Sequence, residues 1–167
     1  MRRLSLAVAA LMALGGAAQA MSYGGGSPSV MPGTTGFDHY ATARQLIKRR
    51  EFASAIPHLD AALKAHPGNA DILNYLGYAH RMVGADETGA ARTKDFQDSL
   101  AFYNQALAID PAHKGVHEYL GELYLQMNDL ASAHREMDTL ATLCPDGCVE
   151  RDTLAKALAA YVPPAQP

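Results

Sequence analysis

The residues of this chain with the sharpest chemistry are its two cysteines. They stand four apart, as Cys144-Pro145-Asp146-Gly147-Cys148, and no other cysteine occurs in the 167 residues. Pro-Asp-Gly is a strong turn sequence, because proline presets one φ and glycine accepts a positive one. Such a turn can bring the sulfurs together, and in an oxidising compartment two nearby thiols pair. Closing so small a loop contributes about 2 kcal/mol in the chain-entropy account. The alternative chemistry is a thiol-redox or metal-handling site. Cys-x-x-x-Cys is not the Cys-x-x-Cys of disulfide oxidoreductases, and no strand–helix–strand pattern surrounds it. Two thiolates with a nearby His or Met could hold copper(I) or zinc, but zinc takes four ligands and the sequence places no histidine there.

Other constellations are weaker. Of seven histidines, His113 and His117 stand four apart, a spacing that metal ligands use on a helix. The intervening Lys-Gly-Val lacks the carboxylate base of a metalloprotease motif, and the spacing puts His113 in a turn. His39, His80 and His134 are scattered along the chain and read as packing or surface residues. Gly24, Gly25 and Gly26 are not followed by the Lys-Ser/Thr of a phosphate cradle. No Gly-x-Ser-x-Gly and no nucleophile with an evident base is present. The expectation is a protein that is not an enzyme, with no cofactor and no dedicated metal site.

Such residues act only where helices or strands hold them, and the chain reads as helices after a leader. Arg2 and Arg3 precede an apolar run from Leu4 to Leu14, and Ala18-Gln19-Ala20 fits a small-x-small cleavage site. That run is shorter than the roughly 20 residues a spanning helix needs. Residues 1–20 are therefore expected to be a signal peptide, with the protein periplasmic or secreted and no integral membrane segment after its removal. Residues 21–35, rich in Gly, Ser and Pro, read as a flexible linker, and 163–167 as a disordered tail. The net charge is −3. Loss of Arg2 and Arg3 would take it to about −5, so no positive field exists to attract nucleic acid.

Between these ends the sequence repeats itself. Ala62-Leu63-Lys64-Ala65-His66-Pro67 parallels Ala106-Leu107-Ala108-Ile109-Asp110-Pro111, and Leu140-Ala141-Thr142-Leu143-Cys144-Pro145 is a looser third copy. Phe52-Ala53-Ser54-Ala55-Ile56, Phe96-Gln97-Asp98-Ser99-Leu100 and Leu130-Ala131-Ser132-Ala133-His134 precede them in the same register. Leu76-Gly77-Tyr78 and Leu120-Gly121-Glu122 match upstream. The later prolines are 34 residues apart and the earlier two 44, which places ten extra residues at 85–94. Small residues at fixed places let two helices approach, bulky ones fill the seam, and the proline ends each unit. The extra ten residues form either a long exposed turn or a helix extension. Pro57 falls inside a helix, near its start, where its penalty is reduced.

These residues resemble the tetratricopeptide repeat family over about 36–147. Ala43, Gly77 and Gly121 fall at the small position of the first helix. Ala55, Ser99 and Ala133 fall at that of the second, with Leu59, Tyr103 and Met137 at its bulky position. At the usually bulky place early in the first helix Leu73 fits the pattern, while His39 and His117 depart from it. The resemblance implies an all-α fold, a right-handed α-solenoid of three hairpins (36–69, 70–113 with the insertion, 114–147). A capping helix at 148–162 follows, with Val149, Leu154, Leu158 and Tyr161 on one face. It implies a concave groove lined by the first helices, carrying Tyr40, Arg44 and Lys48, then Asn74, Tyr78 and Arg81, then Glu118, Glu122 and Gln126. A peptide carboxylate or acidic stretch would bind near Arg44, Lys48 and Arg81, with Asn74 bonding its backbone; the other reading of these charges is an ordinary solvated face. Gly115 and Glu118 stand where the carboxylate clamp of chaperone-binding relatives wants basic groups, so a chaperone tail is not the expected ligand. The expected function is a non-enzymatic scaffold for a protein or peptide partner, acting as a monomer or with weak self-association. The alternative is metal- or thiol-redox handling through Cys144 and Cys148.

Overall fold

The structure, a computed structural model, describes residues 35–164. The signal peptide expected at 1–20, the linker except Thr35, and the last three residues of the tail lie outside that range. Seven helices and no strand occur among the described residues: α1 Gly36–Lys48, α2 Phe52–Ala65, α3 Ala70–Asp86, α4 Gly89–Ile109, α5 Lys114–Gln126, α6 Leu130–Leu143 and α7 Val149–Ala160. None is long and apolar enough to cross a membrane.

The helix starts follow from local chemistry. Thr35 and Asp38 form a reciprocal capping box on α1. Asn69 accepts from the Ile72 amide to open α3, and Asp129 from the Ser132 amide to open α6. His113 does the same for α5, its Nδ1 accepting from the Val116 amide at 3.2 Å. Its Nε2–H is then left to donate to Asp71 at 3.0 Å on the first turn of α3. The α1–α2 and α5–α6 turns each contain one non-glycine residue in the left-handed region, Arg50 and Asn128.

The insertion resolves as helix extension. Residues 85–94 divide between the end of α3 and the start of α4, which run to 17 and 21 residues against 13 and 14 in each of the other two hairpins. Only Glu87 and Thr88 separate them, and Gly89 takes a φ of +61° that suits glycine. Pro57 is the sixth residue of α2, past the first turn. There it forgoes the hydrogen bond to the Ala53 carbonyl and crowds that carbonyl with its ring.

Each hairpin buries its apolar face under the first helix of the next. Ala43, Leu46, Phe52, Ala55, Leu59 and Ala62 of α1 and α2 form one cluster with Ile72, Leu76 and Ala79 of α3. Leu73, Phe96, Tyr103 and Ala106 cluster with Val116, Leu120 and Leu123 of α5. The third cluster joins Leu125, Ala133 and Leu140 to Leu154 of α7, which takes the place of a next helix. Close approach depends on the small positions. A Cβ on Gly77 would lie 2.6 Å from Cδ1 of the fully buried Tyr103, and one on Gly121 2.6 Å from Cδ2 of Leu154. Ser99, fully buried, donates to the Gly77 carbonyl at 2.7 Å and so satisfies its hydroxyl.

The two histidines at the usually bulky place are explained by their partners. His39 Nδ1 lies 3.0 Å from His58 Nδ1, and His117 Nδ1 2.7 Å from Glu136. His58 and Glu136 stand three residues after Ala55 and Ala133, so both hairpins place a polar pair at the same register where α3 carries Leu73. His117 also donates from Nε2 to the Pro111 carbonyl at 2.9 Å. Acceptors on both nitrogens favour the imidazolium form. Burial opposes that charge, but the bonds to Glu136 and Pro111 outweigh it and raise the pKa above its ordinary value.

The capping helix differs in detail from expectation. Leu154 is fully buried, and Leu158 and Tyr161 pack beside it. Val149 is 77% exposed, because it opens α7 and lies beyond the reach of α5. Cys144 and Cys148 have their sulfurs at bonding distance, 2.12 Å. Cys144 ends α6, Cys148 precedes α7, and Gly147 between them takes a φ of +101°. Arg151 donates to the carbonyls of Cys144 and Pro145, both at 3.0 Å, closing the end of α6 a second way.

Candidate functional site

The first helices of the hairpins, α1, α3 and α5, carry a row of tyrosines arranged as two ring pairs. Tyr40 meets Tyr75 edge-on at 5.8 Å, and Tyr78 stacks on Tyr119 at 4.8 Å. Phe52 closes on Tyr78 from behind at 5.5 Å. All four tyrosines are partly buried, so each offers a ring edge while its body is fixed by packing. Tyr40 and Tyr78 were expected on this face. Tyr75 and Tyr119 were not, although both stand two residues before the helix glycine, Gly77 and Gly121. That shared spacing is the signal that could have found them.

Arg44 and Lys48 lie exposed on α1 beside this row, flanking a shallow hollow of about 180 Å³ with Ala41 and Gln45. Arg44 rests over the Tyr40 ring at 5.8 Å. Among the described residues neither cation has a carboxylate within ion-pair distance.

Arg81 corrects the expected groove. Its side chain is 5% exposed and binds Glu122 at 2.6 Å. The guanidinium lies over the rings of Tyr78 and Tyr119, at 5.3 and 5.7 Å. Burial works against its charge, but Tyr103, Glu122 and Tyr78 around it more than compensate and raise its pKa. The reason is register. Lys48 and Gln126 follow Ala43 and Gly121 by five residues, whereas Arg81 follows Gly77 by four, as Ile47 and Leu125 follow theirs. One residue is about 100° around a helix, so Arg81 occupies a packing position and Met82 the expected groove one. It clasps α3 to α5 and is not available to a peptide carboxylate. Asn74 is also buried, 6% exposed, with its amide against the first turn of α5 at Gly115. It is not placed to bond an incoming backbone.

The acidic end is less charged than composition suggests. Burial, with Glu122 and Glu150 close by, pushes the Glu118 carboxyl up to about 7, against a smaller opposing pull from Arg81. Gln126 is partly buried, and its Oε1 has no hydrogen-bond partner. A pH dependence follows. Glu118 binds its proton more tightly folded (about 7) than its ordinary value of 4.5, so its contribution is present in full below 4.5 and is lost as pH rises through about 7. His117, also raised, adds a further fall above its ordinary 6.5. Urea unfolding between pH 4.5 and 8 is expected to show stability declining with pH, and Glu118→Gln to flatten the lower part of that decline while leaving the part due to His117.

Three helical hairpins in series, their first helices sharing one face, define a helical-repeat domain. Residues 90–146, from α4 through α6, match the tetratricopeptide repeat family, in line with the resemblance read from the sequence. Domains of this kind mediate protein–protein interaction and are typically non-enzymatic. A search of the curated proteins found no match to the chain.

Proposed function

We propose that this protein is an exported, non-catalytic scaffold that holds a segment of another polypeptide across α1, α3 and α5. The observation that carries this reading is the tyrosine row Tyr40, Tyr75, Tyr78 and Tyr119, half-buried and held by neighbouring rings. Rigid aromatic edges supply contact area at little entropic cost, which is what a peptide groove needs. Arg44 and Lys48 at the α1 end supply a positive flank for an acidic stretch. Export is supported by the basic-then-apolar leader with its small-x-small site, and by paired cysteine sulfurs that suit an oxidising compartment. No observation favours chemistry at the cysteines over a structural staple, since Cys144 is buried and its partner caps a helix.

The test is affinity capture from an envelope extract, with the mature protein beside an Arg44→Glu/Lys48→Glu variant. Both positions are exposed, so the fold is untouched. A polypeptide retained by the first and lost by the second is expected. Equal retention by both would move the partner off this face.

A further inference from the structure

We propose that the extended hairpin α3–α4 carries a divalent-cation site, with His80, Asp95 and Asp98 as ligands and Glu87 as a fourth. His80 Nδ1 lies 2.6 Å from Asp95 Oδ1 and 3.9 Å from Asp98 Oδ2. The three ligand atoms all fall within 4.8 Å of one another. Ligands bound at about 2.0–2.2 Å can be no further apart than about twice that distance, so small side-chain adjustments close the three on one ion.

The second observation is Glu87. Its Oε2 is buried and has no hydrogen-bond partner, an arrangement that leaves a polar atom unsatisfied. The Glu87 carboxyl faces that of Asp95. Two carboxylates pressed together at the end of one hairpin, beside a third, are relieved by a cation. Among the described residues the one lysine or arginine paired with any of these carboxylates is Lys94, which is largely exposed and bonds Asp98. His80 itself is held in place by stacking on Phe102 at 5.5 Å.

The other hairpins show that this set is not a by-product of the repeat. The residues in the register of His80 are Leu46 and Tyr124, and those in the register of Asp98 are Ser54 and Ser132. Their acids at the register of Asp95 are already engaged, Glu51 with Arg49 and Asp129 with Ser132. The ligand set occurs only in the hairpin lengthened by 85–94, and that segment supplies Glu87. One imidazole with carboxylates suits a borderline divalent ion such as Zn²⁺ or Mn²⁺ over Mg²⁺ or Ca²⁺, which take oxygen ligands alone.

The test uses the untagged full chain with its cysteines oxidised, titrated calorimetrically with Zn²⁺ at pH 7. One equivalent is expected to bind, about tenfold more weakly to Asp95→Asn and several-fold more weakly to Glu87→Gln, and unchanged in His39→Ala. Thermal melts supply a second reading in case Asp95→Asn is poorly folded: Zn²⁺ should raise the Tm of the wild type and not that of Asp98→Asn. Absence of binding, binding unaltered in Asp95→Asn and Asp98→Asn, or binding lost in His39→Ala, which would place the ion on the His39–His58 pair, each overturns the assignment.

Discussion

Replacing Gly77 by valine is expected to lower the free energy of unfolding by about 3 kcal/mol, the upper part of the range for overpacking a core. The added side chain would enter the ring of Tyr103, whose Cδ1 and Cζ lie 2.6 and 2.9 Å from the new Cβ. Tyr103 is fully buried and cannot swing into solvent, and Ser99, one turn before it, is tied to the Gly77 carbonyl. The two helices must therefore separate, which loosens the contact that positions Tyr75 and Tyr78. Valine at Gly68 is the control, since nothing lies within 4 Å of its added Cβ, and a surface change of that kind moves stability by less than about 0.5 kcal/mol. Urea denaturation of both variants measures the difference. Adding Tyr103→Leu to Gly77→Val should recover part of the loss, because the two sites are in contact and their effects are not additive.

The second large effect concerns the clasp between α3 and α5. Glu122→Gln leaves Arg81 charged, 5% exposed and without its carboxylate, and removal of one member of a buried pair costs about 3–5 kcal/mol. The Arg81→Met/Glu122→Leu double variant removes both charges and keeps the volume. Its stability is expected to lie within about 2 kcal/mol of the wild type, since buried ion pairs are often neutral against apolar replacements. The flexible Met side chain can also rest on the Tyr78 and Tyr119 rings that now flank the guanidinium. A double variant as unstable as Glu122→Gln would mean that Arg81 serves mainly through its charge toward the rings.

The repeat was legible because hairpin packing demands small and bulky residues at fixed intervals. Ala43, Gly77, Gly121, Ala55, Ser99 and Ala133 are all buried at helix contacts. The groove was less legible, because a face is defined to within a quarter-turn. A slip of one residue at Arg81 turned a buried clasp into an apparent groove cation, and Tyr75 and Tyr119 were passed over. The division of 85–94 between α3 and α4 could not be read from a segment that mixes three alanines with two threonines and a glycine, whose propensities do not decide between turn and helix. The polar pairs His39–His58 and His117–Glu136 were invisible for another reason. Each partner looks like a departure or a surface residue until the facing helix is placed beside it. The cluster of His80, Asp95, Asp98 and Glu87 escaped for that same reason.

The most direct test of the account is photo-cross-linking from single positions in the mature protein exposed to envelope extract. A photoreactive residue at position 44 on α1 is compared with one at position 97 on α4, both exposed. A discrete cross-linked polypeptide is expected from position 44, absent from position 97 and diminished when Lys48 is replaced by glutamate. Equal labelling from the two positions, or labelling from position 97 alone, would contradict it.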